Sequence, residues 1–253
     1  MNASVDFGGR AVLVTGGTKG IGAVIARAFL AAGARVTVCA RNEPRTPPSA
    51  GGRAAHFLPA DIRDPAQAAE LVERAAGLMG RLDVLVNNAG GSPDADAATV
   101  SPRFVERIVQ LNLLAPFYAA QPANKIMQAQ ETGGSIINIG SVSGVDPQPR
   151  TAAYSAAKAG LRMLSQALAL EWGPKVRVNH VTVGLVLTEA AASYYGDGGA
   201  LGEIIPMGRM GSPQDVANTC LYLASDLASY VTGADLPVHG GGEIPARHMV
   251  TKG

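Results

Sequence analysis

Unbalanced charge, cysteine, clustered histidine and long apolar runs are all scarce in this chain. Its 21 Lys and Arg nearly cancel its 20 Asp and Glu, leaving a net charge of +1 with no basic run. That removes the electrostatic footprint of a nucleic-acid or anionic-membrane binder. The two cysteines, Cys39 and Cys220, lie far apart in apolar segments, the pattern of buried free thiols rather than of a bridge or a metal pair. Four histidines, His56, His180, His239 and His248, show no ligand spacing, so no metal site is expected. No apolar run approaches the length of a membrane span. The opening M-N-A-S-V-D-F lacks the charged-then-apolar order of a signal peptide. A soluble, cytoplasmic protein is the expectation.

What is present is a globular composition, with 47% hydrophobic and 16% charged residues over 253 positions. One domain spanning 1–253 follows, large enough for one sizeable core. Short apolar runs at 11–15, 35–40, 56–60, 82–87, 135–141, 175–181 and 234–238 read as strands. Helical spacing covers 20–32, 65–79, 102–130 (bent or broken near Pro116 and Pro122), 151–172 and 213–224. Gly33 closes the first helix, and Asp64 caps the second with Pro65 at its first position. Strands that alternate with helices in this way specify an α/β fold, a parallel sheet with helices on both faces. The stretches 42–53 and 188–212 read as irregular, and the second, with its glycine cluster and E-I-I-P-M run, reads as a lid or binding segment.

T-G-G-T-K-G-I-G at 15–22 joins the first strand to the first helix. Gly16, Gly20 and Gly22 let the backbone turn tightly and approach a pyrophosphate, where free N–H groups and the helix dipole favour negative charge. At the end of the second strand an acid would bind a ribose 2′-hydroxyl, whereas a 2′-phosphate needs a cation. The chain has Ala40 and then Arg41, with Lys19 in the loop. NADP(H) is therefore favoured, and NAD(H) remains possible.

Between Ser141 and Lys158 lie a hydroxyl, the Tyr154 phenol and an ammonium. Tyr154 and Lys158 are four apart, one turn on one helical face. A fixed cation beside a phenol favours its phenolate and lowers its pKa, as a proton-transfer group at a substrate oxygen requires. Ser141, after a strand, can donate to an oxyanion that develops there.

These residues resemble the short-chain dehydrogenase/reductases over nearly the whole chain. In order the motifs are T-G-G-T-K-G-I-G at 15–22, D-I at 61–62, N-N-A-G at 87–90, Asn112 in L-N-L, I-G-S at 139–141, Y-S-A-A-K at 154–158 and R-V-N at 177–179. The resemblance implies a doubly wound Rossmann fold with a seven-stranded parallel sheet. It implies a nucleotide site using Thr18, Lys19 and Ile21 of the loop, with Asp61 and Ile62 at the adenine and Asn88, Ala89 and Gly90 at the ribose. Gly184, Val186 and Thr188 would lie along the nicotinamide. It further implies a tetrad in which Asn112 anchors a proton-relay water, Ser141 holds the substrate oxygen, Tyr154 is the acid/base, and Lys158 lowers the Tyr154 pKa and binds the nicotinamide ribose. A homotetramer or homodimer built on the helices in 101–130 and 151–172 is also implied.

Two departures stand out. Val183 occupies the usual proline position and leaves that turn less constrained. His239 replaces a usual aspartate, and reads as a tolerated surface change. Tyr194, Tyr195, Leu201, Ile204, Ile205 and Met207 make 188–212 apolar, and Val142, Gly144 and Val145 add apolar wall. With the segment 91–103 these should shape a pocket for an apolar carbonyl or alcohol, a 3-oxoacyl thioester or steroid-like ketone leading. A catalytically silent cofactor-binding subunit is the rival from another class, opposed by the intact tetrad.

Overall fold

The apolar runs that read as strands pair into one sheet, its central strands buried on both faces and its two edge strands partly exposed. In the computed structural model, which describes residues 5–243, seven parallel strands form a single sheet. They are β1 (Ala11–Thr15), β2 (Arg35–Ala40), β5 (His56–Pro59), β6 (Val84–Asn87), β7 (Gly134–Ile139), β8 (Val176–Val183) and β9 (Asp235–Val238). Their order is β5-β2-β1-β6-β7-β8-β9. The chain grows outward from β1 in one direction and then, from β6, in the other, so the sheet has a switch point between β1 and β6. Ligands of such folds bind at the carboxyl ends of the strands there. The first four residues and His248 lie outside the described residues.

Period-two alternation divides the sheet between two cores. Leu13, Leu85, Ile136 and Val178 face α2 (Pro65–Met79) and α4 (Ala115–Ala129), packing with Leu71, Val72, Ala119 and Met127. Val12, Val14, Val86 and Val181 face α1 (Gly20–Ala31) and α8 (Pro213–Ala224), packing with Ile25, Phe29, Val216 and Leu223. The expected caps are in place. The Asp64 side chain accepts from the N–H groups of Ala66 and Gln67, and Gly33, at φ +97°, follows the last turn of α1. Cys39 and Cys220 are buried free thiols, pushed up to about 11 and about 12 by burial. No described helix is long and apolar enough to cross a membrane.

Four local expectations change. The stretch 102–130 is α3 (Pro102–Val109), a π turn at Gln110–Leu114, and then α4. Pro116 has no N–H to offer the Asn112 carbonyl four residues earlier, so the ladder shifts and Ala115 N–H bonds Gln110 O instead. Pro122 lies inside α4 without ending it. The stretch 42–53 contains a small hairpin, β3 (Ser49–Ala50) with β4 (Arg53–Ala54). Gly51 and Gly52, at φ +58° and +73°, supply the two left-handed positions of its turn. The stretch 188–212 is partly helical, with α6 (Glu189–Tyr195) and α7 (Gly199–Gly202). Finally, β8 runs to Val183, which pairs with Val238 and is buried in the core. Ladder and packing hold Val183 where a proline is usual.

Candidate functional site

The glycine loop folds as its residues require. Gly16 sits at φ +62°, and a Cβ there would come within 2.9 Å of Ala89 Cα. A Cβ on Gly22 would lie 2.4 Å from Asn88 Nδ2 and 2.5 Å from the Gly16 carbonyl. No side chain caps α1, whose cap position is Lys19, so its first N–H groups are available to an anion. Thr15, which sequence reading passed over as a mere motif residue, locks this loop to its neighbour. Its Oγ1 accepts from Asn88 N at 3.0 Å and Ala89 N at 3.1 Å. Asn88 Nδ2 returns bonds to the Thr15 and Gly16 carbonyls at 2.9 and 3.2 Å. Thr188 reaches the same place, its Cγ2 within 4.0 Å of a Cβ built on Gly20, while its Oγ1 caps α6. It is carried there by a bridge between Val186 and Gly211 and by Gly184 N–H donating to Val238 O.

At the edge of this loop Lys19 and Arg41 are exposed, and Arg41 acts through space on Asp61. The Asp61 carboxylate is already held by Arg63, whose Nε lies 2.8 Å from Oδ1 and whose Nη2 makes a second, shorter contact with Oδ2. The Arg63 hydrogen bond holds the Asp61 carboxyl below its usual range, against the effect of burial. Arg63 was not foreseen, although a cation two residues after a carboxylate was a legible signal. Ile62 is buried beside it.

Asn112 is fully buried, and its side chain is spent on the chain itself. Oδ1 accepts from Gly91 N at 2.8 Å, and Nδ2 donates to the carbonyls of Gly91 and Ile108 at 3.0 Å each. The Asn112 backbone carbonyl lacks its α-helical partner, because Pro116 four residues on has no N–H. Gly90 is flat against this latch, since a Cβ there would lie 2.8 Å from Asn112 Oδ1 and 3.2 Å from Lys158 Nζ.

Tyr154 and Lys158 share one face of α5 (Ala152–Trp172). Lys158 is 4% exposed, and its Nζ donates to Ile139 O at 2.8 Å, 5.8 Å from the Tyr154 ring centre. Burial lowers the Lys158 pKa to about 8. For Tyr154 the expectation is corrected. Burial pushes the phenol above its ordinary value, and the opposing pull comes from its hydrogen bond with Ser141, not from Lys158. The reason is local: the Lys158 ammonium is turned to a backbone carbonyl and is itself close to losing its proton. Ser141, just past β7, also accepts from Ser143 N.

A cavity of about 280 Å³ opens beside the phenol, lined by Ser92, Ala95, Val100, Phe104, Thr151 and Tyr154 among others. The segment 91–103 thus shapes it, as expected. Neither the lid 188–212 nor Val142, Gly144 and Val145 line it. Ile205 is buried against Gly240, Met207 is largely exposed and Tyr195 less than half exposed, and the Tyr194 side chain is outside the described residues. His239 is partly buried, its backbone pressed on Gly184 and its Nδ1 accepting from Gly241 N, so it is more than a surface change.

Comparison with known proteins adds to this geometry. A family model described as enoyl-(acyl carrier protein) reductase matches residues 16–243. A rhamnolipid-biosynthesis 3-oxoacyl-[acyl-carrier-protein] reductase of Pseudomonas aeruginosa is 36% identical, over 95% of this chain and 99% of the relative. A 3beta-hydroxysteroid dehydrogenase 1 of Eggerthella lenta is 37% identical, over 93% and 94%. A solved short-chain type dehydrogenase/reductase from Mycobacterium ulcerans superposes with a TM-score of 0.85 at 30% identity, covering 98% of this chain and 95% of its own.

The buried cation carries a stability signature. Folding depresses the Lys158 pKa from 10.5 to about 8, so between those values the unfolded chain binds more protons and stability rises with pH. Below about 8 the cost of the buried charge is fully present. Lys158→Met should therefore raise unfolding free energy near pH 7 by about 1–3 kcal/mol, the advantage narrowing as pH climbs toward 10. Urea unfolding of both proteins at two pH values measures this, and a variant less stable at neutral pH would contradict it.

Proposed function

This chain belongs to the short-chain dehydrogenase/reductase family and is an oxidoreductase of alcohols or ketones, and from that premise we propose that it works on a small apolar carbonyl or secondary alcohol with NADP(H). The observation that carries the reading is the Tyr154 phenol, whose pKa Ser141 pulls against burial, one turn from the buried Lys158, at the wall of a mostly apolar cavity.

The residues fit a dinucleotide. The uncapped start of α1, with Gly16, Thr18, Gly20, Ile21 and Gly22, would receive the pyrophosphate. Lys19 and Arg41 would receive a 2′-phosphate. Asp61 and Ile62 would hold the adenine, and Asn88, Ala89 and Gly90 the ribose beside it. Lys158 would hold the other ribose, with Gly184, Val186 and Thr188 along the nicotinamide. When bound, the cofactor supplies or accepts the hydride at the substrate carbon.

The protein's own task is the proton and the geometry. Ser141 donates to the substrate oxygen and shares the charge that builds there. Tyr154, kept a phenol by burial, gives that oxygen its proton in reduction and takes it back in oxidation. The Ser141 bond limits how far burial raises the phenol. Lys158 fixes the position of α5 against β7, and the Asn112 carbonyl begins a route by which the proton is replaced through water.

The relatives' printed names include a 3-oxoacyl-[acyl-carrier-protein] reductase and a 3beta-hydroxysteroid dehydrogenase. A 280 Å³ cavity lies at the small end of ligand pockets, which span roughly 300–1,000 Å³. This favours the short 3-oxoacyl end of that range over a steroid, with 188–212 acting as the lid. The buried thiols suit a cytoplasmic setting. Met163 and Leu170, 65% and 88% exposed on one face of α5, suit a self-paired helical interface in a dimer or tetramer.

Three outcomes test the proposal. Tyr154→Phe should bind NADPH as the wild type does, by fluorescence titration, while ketone reduction falls by about 10²–10⁴-fold; turnover like the wild type's would sink the mechanism. Arg41→Asp should cut the NADPH-to-NADH ratio of kcat/KM by about tenfold or more, and an unchanged ratio would count against the cofactor assignment. Met163→Glu combined with Leu170→Glu should bring the mass in light scattering down to the 25.8 kDa of one chain.

A further inference from the structure

His180 is 1% exposed in β8, next to the site yet part of none of the roles assigned above. Its Nδ1 donates to Asp235 Oδ1 at 2.8 Å. The same oxygen accepts from Thr182 Oγ1 at 2.7 Å. Arg162 Nε lies 2.8 Å from the other oxygen as an ion pair outside hydrogen-bond geometry. The other ring nitrogen, Nε2, is buried and has no partner. Buried polar atoms are almost always satisfied, so an unsatisfied one calls for a reason. An apolar side chain would fill the same space without that cost.

The reason lies in what the free edge of the ring touches. A Cβ built on Gly140 would fall 2.1 Å from both His180 Cε1 and Nε2. The imidazole therefore occupies the space a side chain at 140 would need and forms the floor beneath that residue. Gly140 sits between the two residues through which β7 meets α5. Ile139 before it gives its carbonyl to Lys158 Nζ, and Ser141 after it faces Tyr154 and lowers the phenol's pKa against burial. A shift of Gly140 moves both contacts together. The carboxylate that orients the ring also faces Arg162, one turn beyond Lys158 on α5. One cluster, buried at His180 and open to solvent at Arg162, thus touches the strand end from below and the helix from the side.

We propose that His180 is a positioning residue of this centre: held by Asp235 and Thr182, with Arg162 paired to the same carboxylate, its ring sets the height of Gly140 and so the register of the Ile139 carbonyl and Ser141 hydroxyl against Lys158 and Tyr154. The proposal rests on the reading of Tyr154, Ser141 and Lys158 given above. It explains why residue 140 is glycine although its backbone is outside the left-handed region. The ring, and not the local conformation, excludes a side chain.

The test is a size exchange. His180→Asn keeps an amide N–H for Asp235 but removes the ring edge under Gly140. The expected result is kcat down roughly 10–100-fold, as for a small misplacement of reacting groups, with the KM and dissociation constant for NADPH within about threefold of the wild type. Gly140→Ala alone clashes with the ring and loses activity. Joined to His180→Asn, the new methyl occupies the vacated space, 3.1 Å from Val181 O, and recovers about tenfold or more of the lost kcat. Wild-type kcat in His180→Asn, or a double variant no faster than His180→Asn, would overturn the proposal. Failure of both to fold would overturn it too, by making the ring a core element only. Tyr154→Phe is assayed in parallel. If it keeps full turnover, the reading of the site has failed; if it is inactive while His180→Asn is unaffected, the positioning role alone has failed.

Discussion

Lys158 is an ammonium buried against a backbone carbonyl, and much of the site hangs on that one contact. A cation in so dry a place, with no carboxylate beside it, is costly to fold around. The cost leaves it close to losing its proton, with one of its three N–H donors directed at Ile139 O. Because Lys158 lies on α5 and Ile139 at the end of β7, the bond fixes a helix to a strand where the proposed chemistry takes place. Gly90 must be bare because its position abuts this ammonium and the Asn112 amide together. The loop after β6, the π turn and α5 therefore converge on one point.

The nucleotide side has a comparable lock in Thr15. A single hydroxyl accepts from two successive N–H groups of the loop after β6, drawing the ends of β1 and β6 together across the switch point of the sheet. Glycine at 16 and 22 is then a steric requirement, since any Cβ would strike Ala89 or Asn88. The same logic recurs at Gly140, where the obstacle is an imidazole. Around this site glycine marks where two elements must touch without a side chain between them.

The alternation of apolar runs with helical spacing made the parallel sheet legible, because strands buried on both faces leave no polar face to confuse the period. Caps such as Asp64 were equally readable, being local in sequence. Less readable was anything decided by a distant partner. The raised Tyr154 pKa is one example: spacing put Lys158 beside the phenol, but only packing turned its ammonium to Ile139 and wrapped the phenol in a drier setting. Asn112 is another, its side chain taken up by Gly91, twenty-one positions away. The cavity beside Tyr154 drew on 91–103 and not on 188–212, since the apolar residues of that stretch partly pack inward on Gly240 or face outward.

The sequence by itself determined the α/β class, the glycine loop at a helix start, the Tyr154–Lys158 spacing and the family, because each depends on residue types a few positions apart. Tertiary structure alone decided which groups those residues spend their hydrogen bonds on. It also decided how burial sets the protonation of Tyr154 and Lys158. The meeting of His180 and Asp235, 55 positions apart, beneath Gly140 belongs to that second class: β8 and β9 pair side by side, and no local pattern in the chain could say which side chains that pairing would oppose.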